Sequence, residues 1–254
     1  MGDLTGKTAL VTGASRGIGQ AIAARLAADG ATVIVHFGTD KDGATATVDG
    51  ITRTGGTALA VRAELGVDDD VETLFAGVET GLAGRPLDIL VNNAATAPAG
   101  PIGATTRAEF DHLFAVNVRA PYFIIQRALP LLRDGGRIIT ISSVATRMAN
   151  PTQTSFAMTK GAVETMSMTL ANQLGVRGIT VNAVAPGATR TATNGAAFEA
   201  PGLADLVAGT TALDRLGAPD DVADVVAFLA SDAARWITGQ VIDASGGLFL
   251  GPRV

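Results

Sequence analysis

The sequence predicts a single α/β domain over residues 1–254: a doubly wound parallel sheet of about seven strands, with helices on both faces. Three observations predict it. Short apolar runs recur without polar alternation, longer segments with helical spacing separate them, and glycines are spread along the chain rather than clustered. The runs are Ala9-Leu10-Val11, Val33-Ile34-Val35, Ile89-Leu90-Val91, Ile138-Ile139-Thr140-Ile141, Val181-Asn182-Ala183-Val184 and Val241-Ile242. Each is too short for a helix, and unbroken apolar character is how a strand buried on both faces reads.

Between the runs, Ile18, Ile22 and Leu26 share one helical face. Val71, Leu74, Phe75 and Val78 share another, after Asp68-Asp69-Asp70, a run suited to capping a helix start. Gly187 to Gly209 is rich in Ala, Thr and Gly and reads as a long loop, which in a compact α/β domain is usually functional or mobile. With 254 residues, 47% hydrophobic and 17% charged, the chain can bury a large core. The 31 glycines fit repeated tight turns between strands and helices.

Composition also excludes classes. A net charge of -5 argues against nucleic acid as a main partner, which would call for a basic face. With no cysteine there is no disulfide framework, thiol nucleophile or thiolate metal site. His36 and His112 are the only histidines, too few for a histidine-rich metal site, so no metal is expected. Lys7, Thr8 and Gly13 arrive too early to leave room for a signal peptide. No stretch approaches ~18 uninterrupted apolar residues, so no membrane span is expected and a cytoplasmic protein is the default.

Thr12-Gly13-Ala14-Ser15-Arg16-Gly17-Ile18-Gly19 follows the first strand and opens the first helix. Gly13 permits a turn, Gly17 lets a phosphate approach the backbone, and Gly19 allows close helix–strand packing. The helix N–H groups then point at a pyrophosphate. A glycine triplet alone is weak, and incidental turn glycines would also explain it; its place after strand one points to a dinucleotide site.

Further motifs follow in order. Asn92-Asn93-Ala94 comes after the fourth strand, with Ala95 in place of a glycine. Asn117 lies in a helix and Ser143 ends the fifth strand. Pro186-Gly187 follows the sixth strand, and Trp236 to Gly247 reads as a terminal strand and turn. In these motifs, over essentially its whole length, the chain resembles the short-chain dehydrogenases/reductases, whose fold is Rossmann-like. Within them it is most similar to the 3-oxoacyl-carrier-protein-reductase-like ketoreductases.

That resemblance implies a nicotinamide dinucleotide held by Gly13, Ser15, Arg16, Gly17, Ile18, Gly19, Thr39, Glu64, Leu65, Asn93, Lys160, Pro186, Gly187, Thr189 and Thr191. NAD-preferring relatives carry an acid at the end of strand two; here the strand ends Val35-His36-Phe37-Gly38-Thr39, with Phe37 where the acid would be. Without that carboxylate a 2′-phosphate is not repelled, and Arg16 and Thr39 could bind it. NADP(H) is therefore the expected cofactor. Lys41 reads as a surface charge. Glu64-Leu65, after strand three, resembles the pair that frames the adenine.

The resemblance also implies hydride transfer to a carbonyl, with a tyrosine phenol as proton donor. A lysine four residues later lowers the phenol pKa and holds the nicotinamide ribose. A serine bonds the carbonyl oxygen, and an asparagine anchors a water leading to the lysine. Here Asn117, Ser143 and Lys160 are present, but the position four before Lys160 is Phe156. Phenylalanine keeps the ring and removes the oxygen that does acid–base work. Ser155 and Ala157 point elsewhere on the helix expected from about Gln153 to Leu174. Met158 has no acid proton, and Tyr122, the only tyrosine, is expected in the core. Taken singly, Ser143 would pass as a strand cap, Asn117 as the partner of a helix kink and Lys160 as a surface lysine; their order and spacing favour a site. Phe156 is either an engineered Tyr→Phe change or a natural loss or rerouting of proton transfer.

The function expected is an NADPH-dependent ketoreductase of low activity, acting on a small-molecule ketone or hydroxy substrate. The alternatives are a cofactor-binding protein without turnover and a non-redox enzyme using the same pocket. The Ala94–Gly103 and Gly187–Gly209 segments would line the substrate. A homodimer or homotetramer is expected, built on the helices containing Asn117 and Phe156.

Overall fold

The structure is a computed structural model that describes residues 3–96, 100–192 and 195–250, without the side chains of 196, 197 and 249. The first half alternates β1 (Thr8–Val11), α1 (Gly17–Ala28), β2 (Thr32–Phe37), α2 (Lys41–Arg53), β3 (Thr57–Arg62), α3 (Asp70–Leu82) and β4 (Leu87–Asn92). The second half adds α4 (Arg107–Phe114), α5 (Ala120–Ala128), β5 (Leu132–Ile141), α6 (Thr154–Leu174), β6 (Thr180–Pro186), α7 (Leu203–Gly209), α8 (Pro219–Ala230) and β7 (Val241–Ala244). The seven strands form one sheet in the order β3-β2-β1-β4-β5-β6-β7. All six pairings are parallel. The order reverses direction at β1 and β4, and the crevice beyond the carboxyl ends of these strands is where such sheets bind ligands.

Side-chain alternation along the strands divides the core in two. Ala9, Val11, Val33, Val35, Ile89 and Val91 face α1 and α8, whose Ile22, Leu26, Val222 and Val226 complete that layer. Leu10, Ile34, Leu90 and Ile138 face the other way, against Leu74, Phe75, Val78, Ile124 and Leu174. The expected helix faces are those that pack: Ile22, Leu26, Val71, Leu74, Phe75 and Val78 are buried, and Ile18 packs against the core edge.

Several expectations need correction. Asn92 and Pro186 close their strands rather than follow them. The aspartate run caps α3 differently: Asp69 stands at the cap with φ +57° and makes no side-chain cap bond. Asp70 instead accepts from the N–H of Gly66 (2.7 Å) and Val71 (2.8 Å). The Gly187–Gly209 segment is not a plain loop, since it carries a turn at Gly195–Glu199 and the helix α7. Tyr122 is not a core residue: it is 51% exposed and meets the edge of Phe123 at 5.2 Å. The inward face of α5 is already filled by Ala120, Ile124, Ile125 and Ala128, which leaves Tyr122 outside. Among the described residues, no helix is long and apolar enough to cross a membrane, and no cluster of residues could hold a metal ion.

Candidate active site and dinucleotide groove

A groove of about 570 Å³ runs along the carboxyl edge of β1, β2, β3 and β4. Gly13, Ser15, Arg16, Gly17, Ile18, Gly19, Thr39, Glu64, Leu65, Asn93 and Thr191 line it, all expected from the sequence. The glycine loop owes its shape to close approaches. Gly13 has φ +63°, and a Cβ there would lie 2.8 Å from the Ala94 Cα. A Cβ on Gly19 would run into the Gly13 carbonyl and the Asn93 amide, so α1 can start this close only with glycine. Such a cradle, at the N-terminus of α1, fits a pyrophosphate.

The loop is pinned from two sides. The Asn93 side-chain amide donates to the carbonyls of Thr12 (2.9 Å) and Gly13 (3.0 Å). The Thr12 hydroxyl accepts from the N–H of Asn93 and Ala94. On the other side, His36 Nδ1 accepts from the Gly13 N–H at 3.0 Å, while Nε2 meets the Ala63 carbonyl at 2.9 Å. These contacts require the neutral ring with its proton on Nε2. Burial supports that state and pushes the imidazole down to about 4, against the opposing bond to Ala63.

The groove also corrects the reading of β2. Phe37 is 7% exposed and belongs to the core, because alternation turns it away from the groove. His36, Gly38, Thr39 and Asp40 line the cofactor side instead. The strand does end at Phe37 without an acid, and the acid that lines the groove, Asp40, comes three residues later. Asp40 caps α2, accepting from the Gly43 N–H at 3.0 Å. Sequence reasoning missed His36, Gly38, Asp40, Ala63, His112 and Val116 as lining residues. The position of His36 beside Phe37 at the end of strand two was the available signal. Pro186, Gly187 and Thr189 do not line this groove; Gly187 and Thr189 face a second cavity of about 120 Å³ with Gly217, Leu213 and Ser245.

The residues expected at the reaction centre lie around the end of β5, the start of α6 and the turn between α4 and α5. Asn117 sits in a π-type turn, Ala115–Arg119, between α4 and α5, a feature frequent at functional sites. Its Oδ1 accepts from the Thr96 N–H (2.9 Å) and its amide donates to the Thr159 hydroxyl (3.2 Å). Those bonds join the loop after β4 to α6. The side chain still has a second lone pair on the oxygen and a second N–H with which to anchor the expected water.

Ser143 follows β5 in extended backbone, and its hydroxyl oxygen accepts from the Ala145 N–H at 3.1 Å. Its own O–H is left to donate. Gln153 caps the start of α6, one residue from the expected boundary. Phe156 and Lys160 then lie one turn apart on one face. Lys160 is 5% exposed, donates to the Ile141 carbonyl at 2.8 Å, and has its Nζ 5.5 Å from the centroid of the Phe156 ring. Burial lowers the ammonium to about 8, with the negative charge of Glu164 opposing the shift. Ser155 does point away from this face: it lines a separate apolar pocket with Phe110 and Met158. Residues 97–99 and 193–194 of the two expected substrate-lining segments lie outside the described residues.

Fold and site together define a dinucleotide-binding α/β protein with a serine, a ring and a buried lysine where β5 ends and α6 begins. The chain belongs to the short-chain dehydrogenase/reductase family, and the family model described as enoyl-(acyl carrier protein) reductase matches residues 13–249. It is 40% identical over 257 residues to the versicolorin reductase of Emericella nidulans, covering 97% of each chain. Among solved structures it superposes on the reductase LugOII, described as promiscuous and as catalysing keto-reduction at C1 during lugdunomycin biosynthesis, with a TM-score of 0.94, 51% identity and coverage of 98% of this chain and 100% of that one. The angucycline C-6 ketoreductase LanV, solved with bound NADP, gives a TM-score of 0.94 at 50% identity, covering 98% of each chain.

Proposed function

We propose that this single domain, residues 1–254, is an NADP(H)-dependent ketoreductase whose proton-delivery step is impaired by Phe156. The observation that carries the reading is the buried Lys160 ammonium, held by the Ile141 carbonyl beside the Phe156 ring and two residues from Ser143. Support for the cofactor comes from the glycine cradle, from Arg16 and Thr39 at the ribose end of the groove, and from the NADP-bound relatives.

Each residue has a physical task. The α1 N-terminus and Gly17 receive the pyrophosphate, and Arg16 and Thr39 the 2′-phosphate. Glu64 accepts from the adenine amino group. The dinucleotide, when bound, supplies the hydride. Lys160 holds the nicotinamide ribose, Ser143 donates its free O–H to the substrate oxygen as negative charge grows there, and Phe156 supplies a wall but no proton. The substrate is a small-molecule ketone; rabelomycin, bound by LanV in a solved structure, is the first to test. The same reading places the protein in the cytoplasm as a homodimer or homotetramer. The exposed Tyr122, Phe123, Met158 and Met168 on α5 and α6 support such an association.

The test is steady-state NADPH oxidation with one ketone by the chain as it stands and by Phe156→Tyr. A positioned general acid is worth about 10²–10⁴ in rate, so kcat should rise by roughly two orders of magnitude or more with little change in NADPH affinity. If Phe156→Tyr is no faster, the phenol is not the missing acid. A non-redox enzyme, or a cofactor-binding protein using the same pocket, is then the better account.

A further inference from the structure

Glu164 belongs to none of the expected motifs, yet its carboxylate lies under the reaction centre. One oxygen, Oε1, accepts from the Ser142 hydroxyl at 2.6 Å and from the Thr146 hydroxyl at 3.0 Å. Those residues flank Ser143 in the chain, one immediately before it and one three places after. Thr146 also reaches back to the Ser143 carbonyl at 3.1 Å. Glu164 lies four residues after Lys160 and eight after Phe156, so all three share one stripe of α6. A carboxylate receiving two hydroxyl protons makes charge-assisted bonds, stronger than neutral ones.

We propose that Glu164 is a positioning residue for the reduction: its carboxylate clamps both flanks of Ser143 to α6 and so fixes the Ser143 hydroxyl relative to Lys160. This rests on the ketoreductase reading above. The stretch from Ser142 to Thr146 leaves the sheet edge as a short turn. Besides the clamp, that turn is held by its own local bonds, by the Ser142 N–H on the Val184 carbonyl and, at its far end, by Arg147, which donates to Asp243 and to the Val241 carbonyl on β7. Without the clamp, the strand end and Ser142 stay in place while the turn that orients the Ser143 hydroxyl loosens. A loss of orientation at a reacting group lowers rate rather than cofactor binding.

The test compares Glu164→Ala and Glu164→Gln, each in the Phe156→Tyr background, where turnover is readable. Three readouts are taken: kcat and KM for the ketone, the NADPH Kd, and amide exchange at Ala145 and Thr146. Glu164→Ala should lower kcat by about tenfold or more, leave the NADPH Kd within about a factor of two, and speed exchange of the Ala145 amide. Glu164→Gln keeps an accepting oxygen and should restore most of kcat and the slow exchange. An unchanged kcat in Glu164→Ala, or an equal loss in both variants, overturns the proposal. Should Glu164→Ala not fold, Thr146→Val removes one arm alone, and it too must lower kcat or the proposal falls. If Phe156→Tyr reduces no ketone, the ketoreductase reading fails, and the clamp's role in reduction fails with it. If Phe156→Tyr is active and the clamp variants are equally so, the clamp alone is wrong.

Discussion

The His36 ring is engaged at both nitrogens, to Gly13 on one side and Ala63 on the other, so protonating it would set two N–H groups against each other. Its folded pKa of about 4 lies below the ordinary 6.5 because burial disfavours the charged form. The stability linked to this ring is complete above pH 6.5 and is lost as pH falls from 6.5 through 4. By linkage the loss totals about 3 kcal/mol. Urea titrations at pH 7 and pH 4.5 should show this loss in the unsubstituted chain and a clearly smaller one in His36→Asn. Parallel slopes would mean that other groups govern the acid limb. At Lys160 the sign is opposite in use: the ammonium, proposed above to hold the ribose, is present below about 8 and disappears above it. NADPH affinity should therefore weaken as pH rises from 7 to 9.5, and Lys160→Arg, which stays charged, should flatten that dependence.

Elements carried most of what the sequence disclosed. The strands were legible because burial on both faces leaves a continuous apolar signature, and the glycine loop because its close contacts tolerate no Cβ at Gly19. What stayed hidden depends on partners far along the chain. His36 reads as one more strand residue until Gly13 and Ala63 are brought to it, and Glu164 as a helix-surface acid until Ser142 and Thr146 fold against α6. Tyr122 was misjudged for a related reason, since an apolar stretch does not say which of its faces the sheet will take. The same alternation argument moves the cofactor switch from Phe37 to its neighbour. Gly38 lines the groove, and a Cβ there would meet its nearest neighbour, the Ala63 carbonyl, only at 3.8 Å. Gly38→Asp should therefore fold and lower the NADPH-to-NADH affinity ratio by about tenfold or more, through repulsion of the 2′-phosphate and a new acceptor for the ribose hydroxyl. Fluorescence titration of both nucleotides reads this directly, and an unchanged ratio would place the discrimination at Arg16 and Thr39 alone.

At the scale of the whole molecule, β1 pairs with β4 through Ala9–Ile89, Leu10–Leu90 and Val11–Val91, and the Thr8 N–H donates to Asp88 across 80 positions of sequence. That seam has a consequence for how the chain reaches its native state. The middle of the sheet cannot close until about a third of the polypeptide is available, and closing a loop of that length precedes any reward from the contact. During synthesis, β1 therefore waits with one edge bare while β2 is already present to pair on its other side, with β3 beyond it. A fragment ending before residue 87 should collapse without the central seam and associate through that open edge. The intact chain should refold over milliseconds to seconds rather than microseconds. Its slowest phase should respond to substitutions at Leu90 and Val91 more than to any in the outer strand β3.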